Sequence, residues 1–131
     1  MPPDRKQLGA FYTPDRLVAT IVDATVTPEF LDARRGRALR VLDPACGDGR
    51  FLRAVAERAR DHGADVELHG VVIDPAAVAL ARSNVREATI ELGDALTRSW
   101  SSERFDLVIG NPPFLSQMSE RTTRGGASRR G

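Results

Sequence analysis

Between Leu39 and Gly110, short apolar runs alternate with segments of helical periodicity, and this alternation restricts the possible folds more than any other feature of the chain. The apolar runs are rich in valine, leucine and isoleucine. Strands that alternate with helices are joined by right-handed crossovers and form a parallel sheet with helices on its faces. The sequence therefore predicts an α/β fold built on a doubly wound parallel sheet.

Four strands are predicted in this region. The second predicted strand ends in an almost continuous apolar run, as expected for a strand that is covered on both faces. The predicted strands are Leu39–Asp43, Val66–Ile73, Thr89–Leu92 and Phe105–Gly110. The helical positions predicted to be buried are Phe51, Leu52, Val55 and Ala59 in a helix over residues 49–62, and Val78, Ala81 and Val85 in a helix that begins at Pro75.

An amino-terminal helix is predicted ahead of the sheet. Thr13 is of a residue type that caps helices, and Pro14 suits the first turn because its missing N–H costs nothing there. The positions that recur at helical spacing, and are predicted to face the core, are Leu17, Ile21 and Ala24 or Thr25.

The end of the chain is a Gly-, Ser- and Thr-rich tail that carries arginines and, after Glu120, no acid. Such a composition is typical of a disordered, solvated end, with a phosphate-binding arm as the alternative. The chain thus divides into three predicted parts. They are a helical segment with a loop at residues 1–38, a sheet-containing unit at residues 39–115 and a disordered basic tail at residues 116–131.

Composition predicts a soluble globular protein. Apolar residues make up 41% and charged residues 28% of the chain, and its apolar runs are far shorter than the ~20 residues that cross a bilayer. A lone cysteine, Cys46, is expected to be a small packing residue, and it fits a reducing, cytoplasmic location. His62 and His69 lack metal-binding spacing, so no metal is expected. A net charge of +1 gives no general attraction to nucleic acid.

Polar residues occupy the carboxyl end of every predicted strand. Asp43 ends the first strand, Asp74 and Asp94 follow the second and third, and Asn111 follows the fourth. In an open parallel sheet, ligands bind beyond the carboxyl ends of the strands, near the point where the strand order reverses. The coincidence of these four positions predicts a ligand site at one edge of the sheet.

Each of these positions also has a structural explanation. Gly47 and Gly49 let the backbone approach a ligand because they lack a Cβ, but a tight strand-to-helix turn needs such residues as well. Asp74 lies where an acid would accept hydrogen bonds from ribose hydroxyls, and it could also cap the helix that begins at Pro75. Asp94, which follows Gly93, could accept a hydrogen bond from an adenine amino group.

Five motifs occur in a fixed order along the chain. They are Gly-Ala-Phe-Tyr-Thr-Pro, Val-Leu-Asp-Pro-Ala-Cys-Gly-Asp-Gly-Arg-Phe-Leu, Val-Val-Ile-Asp-Pro, Gly-Asp-Ala-Leu and Asn-Pro-Pro-Phe. In this order they resemble the amino-terminal part of the catalytic domain of S-adenosylmethionine-dependent DNA adenine-N6 methyltransferases of the restriction–modification type. The resemblance covers residues 9–115.

The resemblance implies a Rossmann-like doubly wound parallel sheet of the class I methyltransferase type, here incomplete with four predicted strands, and S-adenosyl-L-methionine as the cofactor. The cofactor-binding residues that it implies are Thr13 for the methionine carboxylate, Asp43 with Ala45 and Gly47 for the amino-acid portion, Asp74 for the ribose and Asp94 for the adenine.

The resemblance also implies that Asn111, Pro112, Pro113 and Phe114 face a flipped-out base. An adenine amino nitrogen is a poor nucleophile because its lone pair is delocalised into the ring. The Asn111 side-chain oxygen and the Pro112 carbonyl could accept its hydrogens and aim the lone pair at the sulfonium methyl. The prolines stiffen the corner, and Phe114 offers a ring for stacking. The structural alternative is a rigid turn after a buried strand.

A complete catalytic domain of this family has further strands and a DNA-recognition region, which the sequence lacks. The outer edge of the fourth strand would then be a template for pairing with another chain. We therefore expect a fragment or one part of a split enzyme, which acts on double-stranded DNA and whose sheet a second polypeptide could complete. Little sequence-specific methylation is expected from the chain alone.

Two other functions stay open. Protein-glutamine and RNA-guanine methyltransferases also present Asn-Pro-Pro-aromatic to planar nitrogen groups. The Gly9–Pro14 segment and the Asp43–Gly47 turn favour the DNA enzymes over these. A non-catalytic fragment or interaction subunit, by contrast, would bind cofactor without turnover.

Overall fold

The computed structural model describes residues 13–100 and 103–110 of the 131-residue chain. Two helices precede the first strand, and helices then separate the first three strands. Within the described residues no helix lies between the third and fourth strands. The elements are α1 (Asp15–Thr25), α2 (Pro28–Asp32), β1 (Leu39–Asp43), α3 (Arg50–Asp61), β2 (Val66–Val72), α4 (Pro75–Asn84), β3 (Thr89–Leu92) and β4 (Leu107–Val108). The predicted Asn111–Phe114 corner and the predicted tail at residues 116–131 lie outside the described residues.

The strands form one parallel sheet in the order β3-β2-β1-β4. Leu39 pairs with Val66, and Val41 pairs with Leu107 on the other side of β1. The chain moves outward from β1 through β2 to β3 and then returns to the opposite side of β1 to form β4. The predicted α/β doubly wound parallel sheet is confirmed, and its strand order reverses between β1 and β4.

The fourth strand is shorter than predicted. The sequence predicts a strand over Phe105–Gly110, whereas β4 contains only Leu107 and Val108. Two backbone hydrogen bonds continue the pairing beyond these residues: the Asp106 N–H donates to the Arg40 carbonyl at 2.8 Å and the Ile109 N–H to the Leu42 carbonyl at 2.9 Å. The side chain of Asp106 also accepts from the Arg40 N–H, so that side chain takes a ladder position at the strand's start.

The core lies between the sheet and the α3–α4 layer. All four residues predicted for the buried face of α3 are buried, and α4 buries Ala77 and Ala81. Gly70 in β2 allows close packing in this core, because a Cβ there would lie 2.7 Å from Cys46 Sγ and 2.9 Å from Leu52 Cδ1. Alternate residues of a strand point to opposite faces, so His69 lies on the other face of the sheet.

One prediction about α1 is wrong and another is only partly right. Thr13 does not cap it, since Pro14 occupies the cap position and the helix begins at Asp15. The fully buried stripe is Val18 and Val22, continued by Val26 beyond the helix. Of the predicted positions, Leu17 is 48% exposed, whereas Ile21 is partly buried and packs against the core. Both sets of residues have helical spacing. Contact with α3 determines which set is buried, and the sequence pattern does not reveal that contact.

The basic connector at residues 34–37 is fastened to the start of β4. Arg37 makes two hydrogen bonds to the Asp106 carboxylate, at 2.8 and 2.6 Å, and Arg34 Nε lies 3.6 Å from the same group. The hydrogen bond from Arg37 holds the pKa of Asp106 well below its usual range. This predicted surface connector therefore clamps β4 to the sheet.

No helix in the described ranges is both long and apolar enough to cross a membrane. The same residues contain no group of three or more His, Cys, Asp or Glu side chains suited to a metal ion.

Candidate functional site

Three of the predicted site residues lie at one edge of the sheet. Asp43 is the last residue of β1, and Asp74 and Asp94 each come two residues after the end of β2 and β3. Gly110 stands in the same relation to β4. Because the strands are parallel, their carboxyl ends meet at a common edge. The corner Asn111–Phe114, which directly follows Gly110, lies outside the described residues.

Asp43 is a buried carboxylate, with 1% of its surface exposed. Burial raises the pKa of Asp43 to about 7, and the nearby negative charge of Asp48 acts in the same direction. The Ala45 N–H donates to Asp43 Oδ1 at 3.1 Å and opposes part of this shift. No cationic side chain within residues 13–100 and 103–110 pairs with Asp43. The site therefore favours a ligand that brings a positive charge to this carboxylate.

A glycine turn joins β1 to α3 beside Asp43. Gly47 and Gly49 have φ angles of 53° and 85°, a left-handed conformation that side chains with a Cβ rarely adopt. A Cβ on Gly49 would also lie 2.8 Å from Val85 Cγ2, so helix packing requires a glycine there. Gly47 is partly exposed.

Cys46 lies inside this turn and is buried. Burial raises the pKa of its thiol to about 12, so the reactive thiolate form is suppressed. Its N–H donates to the Val71 carbonyl at 2.9 Å, which ties the turn to β2. This environment agrees with the expected packing role.

Gly110 brings the end of β4 against the Asp43 carboxylate. Its φ of 153° lies in the range that favours glycine, and a Cβ at this position would come within 2.8 Å of Asp43 Cγ and closer still to Oδ1. The buried acid thus lies against the residue that directly precedes Asn111. Gly110 is not among the predicted site residues, although a glycine immediately before the Asn-Pro-Pro-Phe corner is a readable signal.

Thr13 is held close to the glycine turn although 37 residues separate it from Arg50. Arg50 donates to the Thr13 carbonyl at 2.7 Å and forms an ion pair with Asp48 at 2.8 Å. Asn84 donates to the Asp48 carbonyl at 2.8 Å. Thr13 and Asp48 are both buried. The sequence did not predict that Asp48 and Arg50 connect Thr13 to the glycine turn. The available signal is an acid and a base two residues apart at the end of that turn.

Asp74 and Asp94 each use one carboxylate oxygen in a local cap. Asp74 Oδ1 accepts from the Ala76 N–H at 3.0 Å, so the predicted helix-cap role is present. Asp94 Oδ1 accepts from the Leu96 N–H at 2.9 Å. Within the described ranges the second oxygen of each carboxylate has no hydrogen-bond partner. Both acids can therefore cap their own turn and accept from a ligand hydroxyl or amine.

The fold defines a class of protein: a Rossmann-like α/β protein, a class in which ligands bind where the strand order reverses. The particular family follows from the sequence. The chain belongs to the N-6 DNA Methylase family, which it matches over residues 2–128.

Relatives of known name and solved structures agree with this assignment. The type II methyltransferase M.TthHB8I of Thermus thermophilus is 38% identical over 110 residues, which are 83% of this chain and 22% of the relative. The structure of a type I restriction-modification methyltransferase subunit from Streptococcus thermophilus superposes with a TM-score of 0.57 at 23% identity, over 78% of this chain and 23% of that one. The S-adenosylmethionine-bound amino pentose methyltransferase CalS10 of Micromonospora echinaspora has a TM-score of 0.52 at 26% identity, over 82% and 40%.

These comparisons assign the sheet to the class I methyltransferase fold. The chain spans only about a fifth to a quarter of the length of the first curated relatives that it matches, namely 19%, 22% and 26%.

Proposed function

We propose that this chain forms the cofactor-binding and base-binding part of a DNA methyltransferase that transfers a methyl group from S-adenosyl-L-methionine to the exocyclic amine of adenine in a restriction–modification system. The observation that carries the proposal is the buried Asp43 carboxylate. It lacks a cationic partner among the described residues, it lies beside the Gly47–Gly49 turn, and it packs against Gly110, the residue before Asn111.

The residues at the sheet edge fit this cofactor. Asp43, with Ala45 and Gly47, would hold the positively charged amino group of the methionine portion, because an opposite charge relieves the cost of burying the carboxylate. Thr13 would hold the methionine carboxylate, and the Arg50 link keeps Thr13 near the turn. The free oxygens of Asp74 and Asp94 would accept from the ribose hydroxyls and the adenine amine.

The bound cofactor supplies an electrophilic methyl group on a sulfonium. The chain's part is to present the acceptor amine in the right direction. The Asn111 side-chain oxygen and the Pro112 carbonyl would accept the two amine hydrogens, so that the nitrogen becomes tetrahedral and its lone pair, no longer delocalised into the ring, points at the sulfonium methyl. Pro113 would keep the corner rigid, and Phe114 would stack on the flipped base. Asn111 does not titrate, so it moves no proton itself.

Double-stranded DNA is the proposed substrate, and the cytoplasm is the proposed location. Relatives of several times this length carry further segments, and a segment or second polypeptide that pairs with β4 would complete the sheet. Recognition of a DNA sequence would lie in that remainder.

Titration calorimetry with S-adenosylmethionine tests the cofactor site. The wild-type chain should bind, and Asp43→Ala should weaken binding by about tenfold or more, because a charge-assisted contact contributes about 1.5–3 kcal/mol. Asp61→Ala, at the exposed end of α3, is the matched control and should bind as wild type. Absence of binding by the wild-type chain would contradict the proposal.

Transfer of a labelled methyl group tests the substrate. When the remainder of a related methyltransferase is supplied, cofactor with a tritiated methyl group should produce tritium-labelled N6-methyladenine in duplex DNA. Asn111→Ala should abolish this labelling. Label in RNA or in protein alone would select the alternative substrates. Cofactor binding without transfer to any of the three would indicate a non-catalytic fragment.

A further inference from the structure

A second cluster of charged and aromatic side chains lies on the sheet face opposite α3. His69 of β2 contacts Glu91 of β3 at 2.8 Å, and Glu91 also pairs with Arg98. Arg98 in turn pairs with Glu103 at 2.9 Å. Within the described residues, this network forms no metal-binding group, and none of its residues takes part in the proposed cofactor contacts. Its position is informative, because Arg98 lies four residues beyond Asp94.

The network fastens the turn that carries Asp94. The Asp94 carbonyl accepts from the Thr97 and Arg98 N–H groups, both at 3.0 Å, so residues 94–98 form one closed turn. The Arg98 side chain then returns to Glu91, near the end of β3. The turn is closed by its own backbone hydrogen bonds and joined to β3 by the Arg98 side chain, so it has little freedom to rotate.

Trp100 holds the same turn from its other side. Its indole N–H donates to the Ala95 carbonyl at 3.0 Å, and the Arg98 guanidinium stacks over its ring at 4.0 Å. The ring meets His69 and Phe105 edge-on, with centroid separations of 6.4 and 6.0 Å. These contacts fix Trp100 against the sheet. Its hydrogen bond to the Ala95 carbonyl then holds the residue next to Asp94 in place.

We propose that Arg98 and Trp100 are positioning residues that aim the free oxygen of Asp94 at the cofactor's adenine amine and so set the preference for adenine over a deaminated base. This inference rests on the proposed function of the site edge. Arg98 and Trp100 act through the turn and do not touch the ligand. Removing either contact lets the Asp94 carboxylate rotate, while Asp43, Thr13 and the glycine turn keep their places.

The experiment compares two ligands that differ only at the base. S-Adenosylhomocysteine carries the 6-amino group, and S-inosylhomocysteine carries an oxygen there, which cannot donate to Asp94. Dissociation constants are measured by titration calorimetry for wild type and for Asp94→Ala, Trp100→Phe and Arg98→Gln. Trp100→Phe removes the indole N–H and keeps an aromatic ring. Arg82→Gln is the matched control, since Arg82 donates to the Ile90 carbonyl of β3 at 2.9 Å and forms no hydrogen bond or ion pair with residues 94–98 of the described chain.

Wild type and Arg82→Gln should prefer the adenosine ligand by about tenfold or more, the effect of one hydrogen bond to a charged group. Asp94→Ala, Trp100→Phe and Arg98→Gln should reduce this preference to within about threefold of unity, mainly by weakening the adenosine ligand. A general structural role would weaken both ligands by the same factor and would overturn the proposal.

The outcomes separate this inference from the proposed function. If wild type binds neither ligand, the cofactor site itself is wrong and the inference falls with it. If wild type binds both equally, the role given to Asp94 is wrong. If Asp94→Ala loses the preference while Trp100→Phe and Arg98→Gln retain it, the proposed function stands and only the positioning role is refuted.

Discussion

Asp43 is the residue at which charge and packing conflict most. Its side chain is as buried as the apolar core, yet it carries an ionisable group without a cationic partner in the described residues. A buried charge of this kind costs stability unless a ligand compensates it. We infer that the ionised Asp43 carboxylate lowers the stability of the protein without cofactor, and that the positive charge of the proposed cofactor would offset this cost.

Replacement of Asp43 by asparagine should stabilise the ligand-free protein at neutral and higher pH. The folded pKa of about 7 lies above the ordinary value of 3.8, so wild type binds a proton more readily when folded. Its stability should therefore fall as pH rises from about 4 to about 7 and then level off. At roughly 1.4 kcal/mol per pKa unit, Asp43→Asn should exceed wild type by up to about 4 kcal/mol at pH 8.

Urea unfolding at pH 4 and at pH 8 measures this difference. The two proteins should be nearly equal at pH 4 and diverge at pH 8. A wild type that is the more stable protein at pH 8 would show that a cation or hydrogen bonds already compensate the buried carboxylate.

Gly110→Ala should damage the site more than the fold. The new Cβ would overlap the Asp43 carboxylate at a φ of 153°, so either Asp43 or the end of β4 must shift. Such overpacking and strain cost about 1–3 kcal/mol of stability. Cofactor affinity should fall by about tenfold or more, the effect of losing one charge-assisted contact.

Gly93→Ala is the control for Gly110→Ala, because a Cβ at Gly93 would meet no atom within 4 Å. Thermal unfolding and calorimetry of the two variants make the comparison. Equal cofactor affinity in both would refute the close approach of β4 to Asp43.

At the scale of elements, Asp106 joins three pieces of chain. Its carboxylate binds Arg37 and Arg34 of the connector and the backbone of Arg40 in β1, and it precedes β4 directly. Asp106→Asn should lower the free energy of unfolding by about 1–3 kcal/mol, since it removes charge-assisted hydrogen bonds from a partly buried group. Urea midpoints at pH 7 measure the loss.

Asp32→Asn is the matched control for that variant. Asp32 pairs with Arg35, and the side chains of both are more than 60% exposed, so the loss should stay below about 1 kcal/mol. The effect of Asp106→Asn should also shrink as pH falls, because arginine holds the pKa of Asp106 low and protonation of wild type removes the same ion pairs. A constant difference down to acid pH would argue against the ionic clamp.

Sequence patterns placed most elements because their boundaries are local. β1 and β3 begin and end at the predicted residues. The carboxyl ends of β1 and β2 could also be located from the acids Asp43 and Asp74 alone. The length of β4 and the buried face of α1 were not, since each depends on which surface a neighbouring element presents. The same limit applies to the site: the three acids could be placed on one edge, whereas the Gly110–Asp43 approach and the Arg50–Thr13 bond exist only in the folded chain.

At the scale of the whole molecule, the sheet has an incompletely covered side. Among the described residues, β4 pairs with β1 on one side only, and its Val108 side chain is 61% exposed. Unpaired strand edges with apolar residues promote association. The wild-type chain should therefore associate as its concentration rises, through pairing at β4.

Val108→Lys should reduce that association, because a charge on an edge strand opposes strand pairing. We expect the concentration at half-association to rise by about tenfold, equivalent to ~1.4 kcal/mol. Leu17→Lys, at a residue of α1 that is 48% exposed, is the control for a general effect of added charge. Sedimentation velocity across a concentration series distinguishes them. If both variants dissociate alike, or if neither does, β4 is not the surface through which the wild-type chain associates.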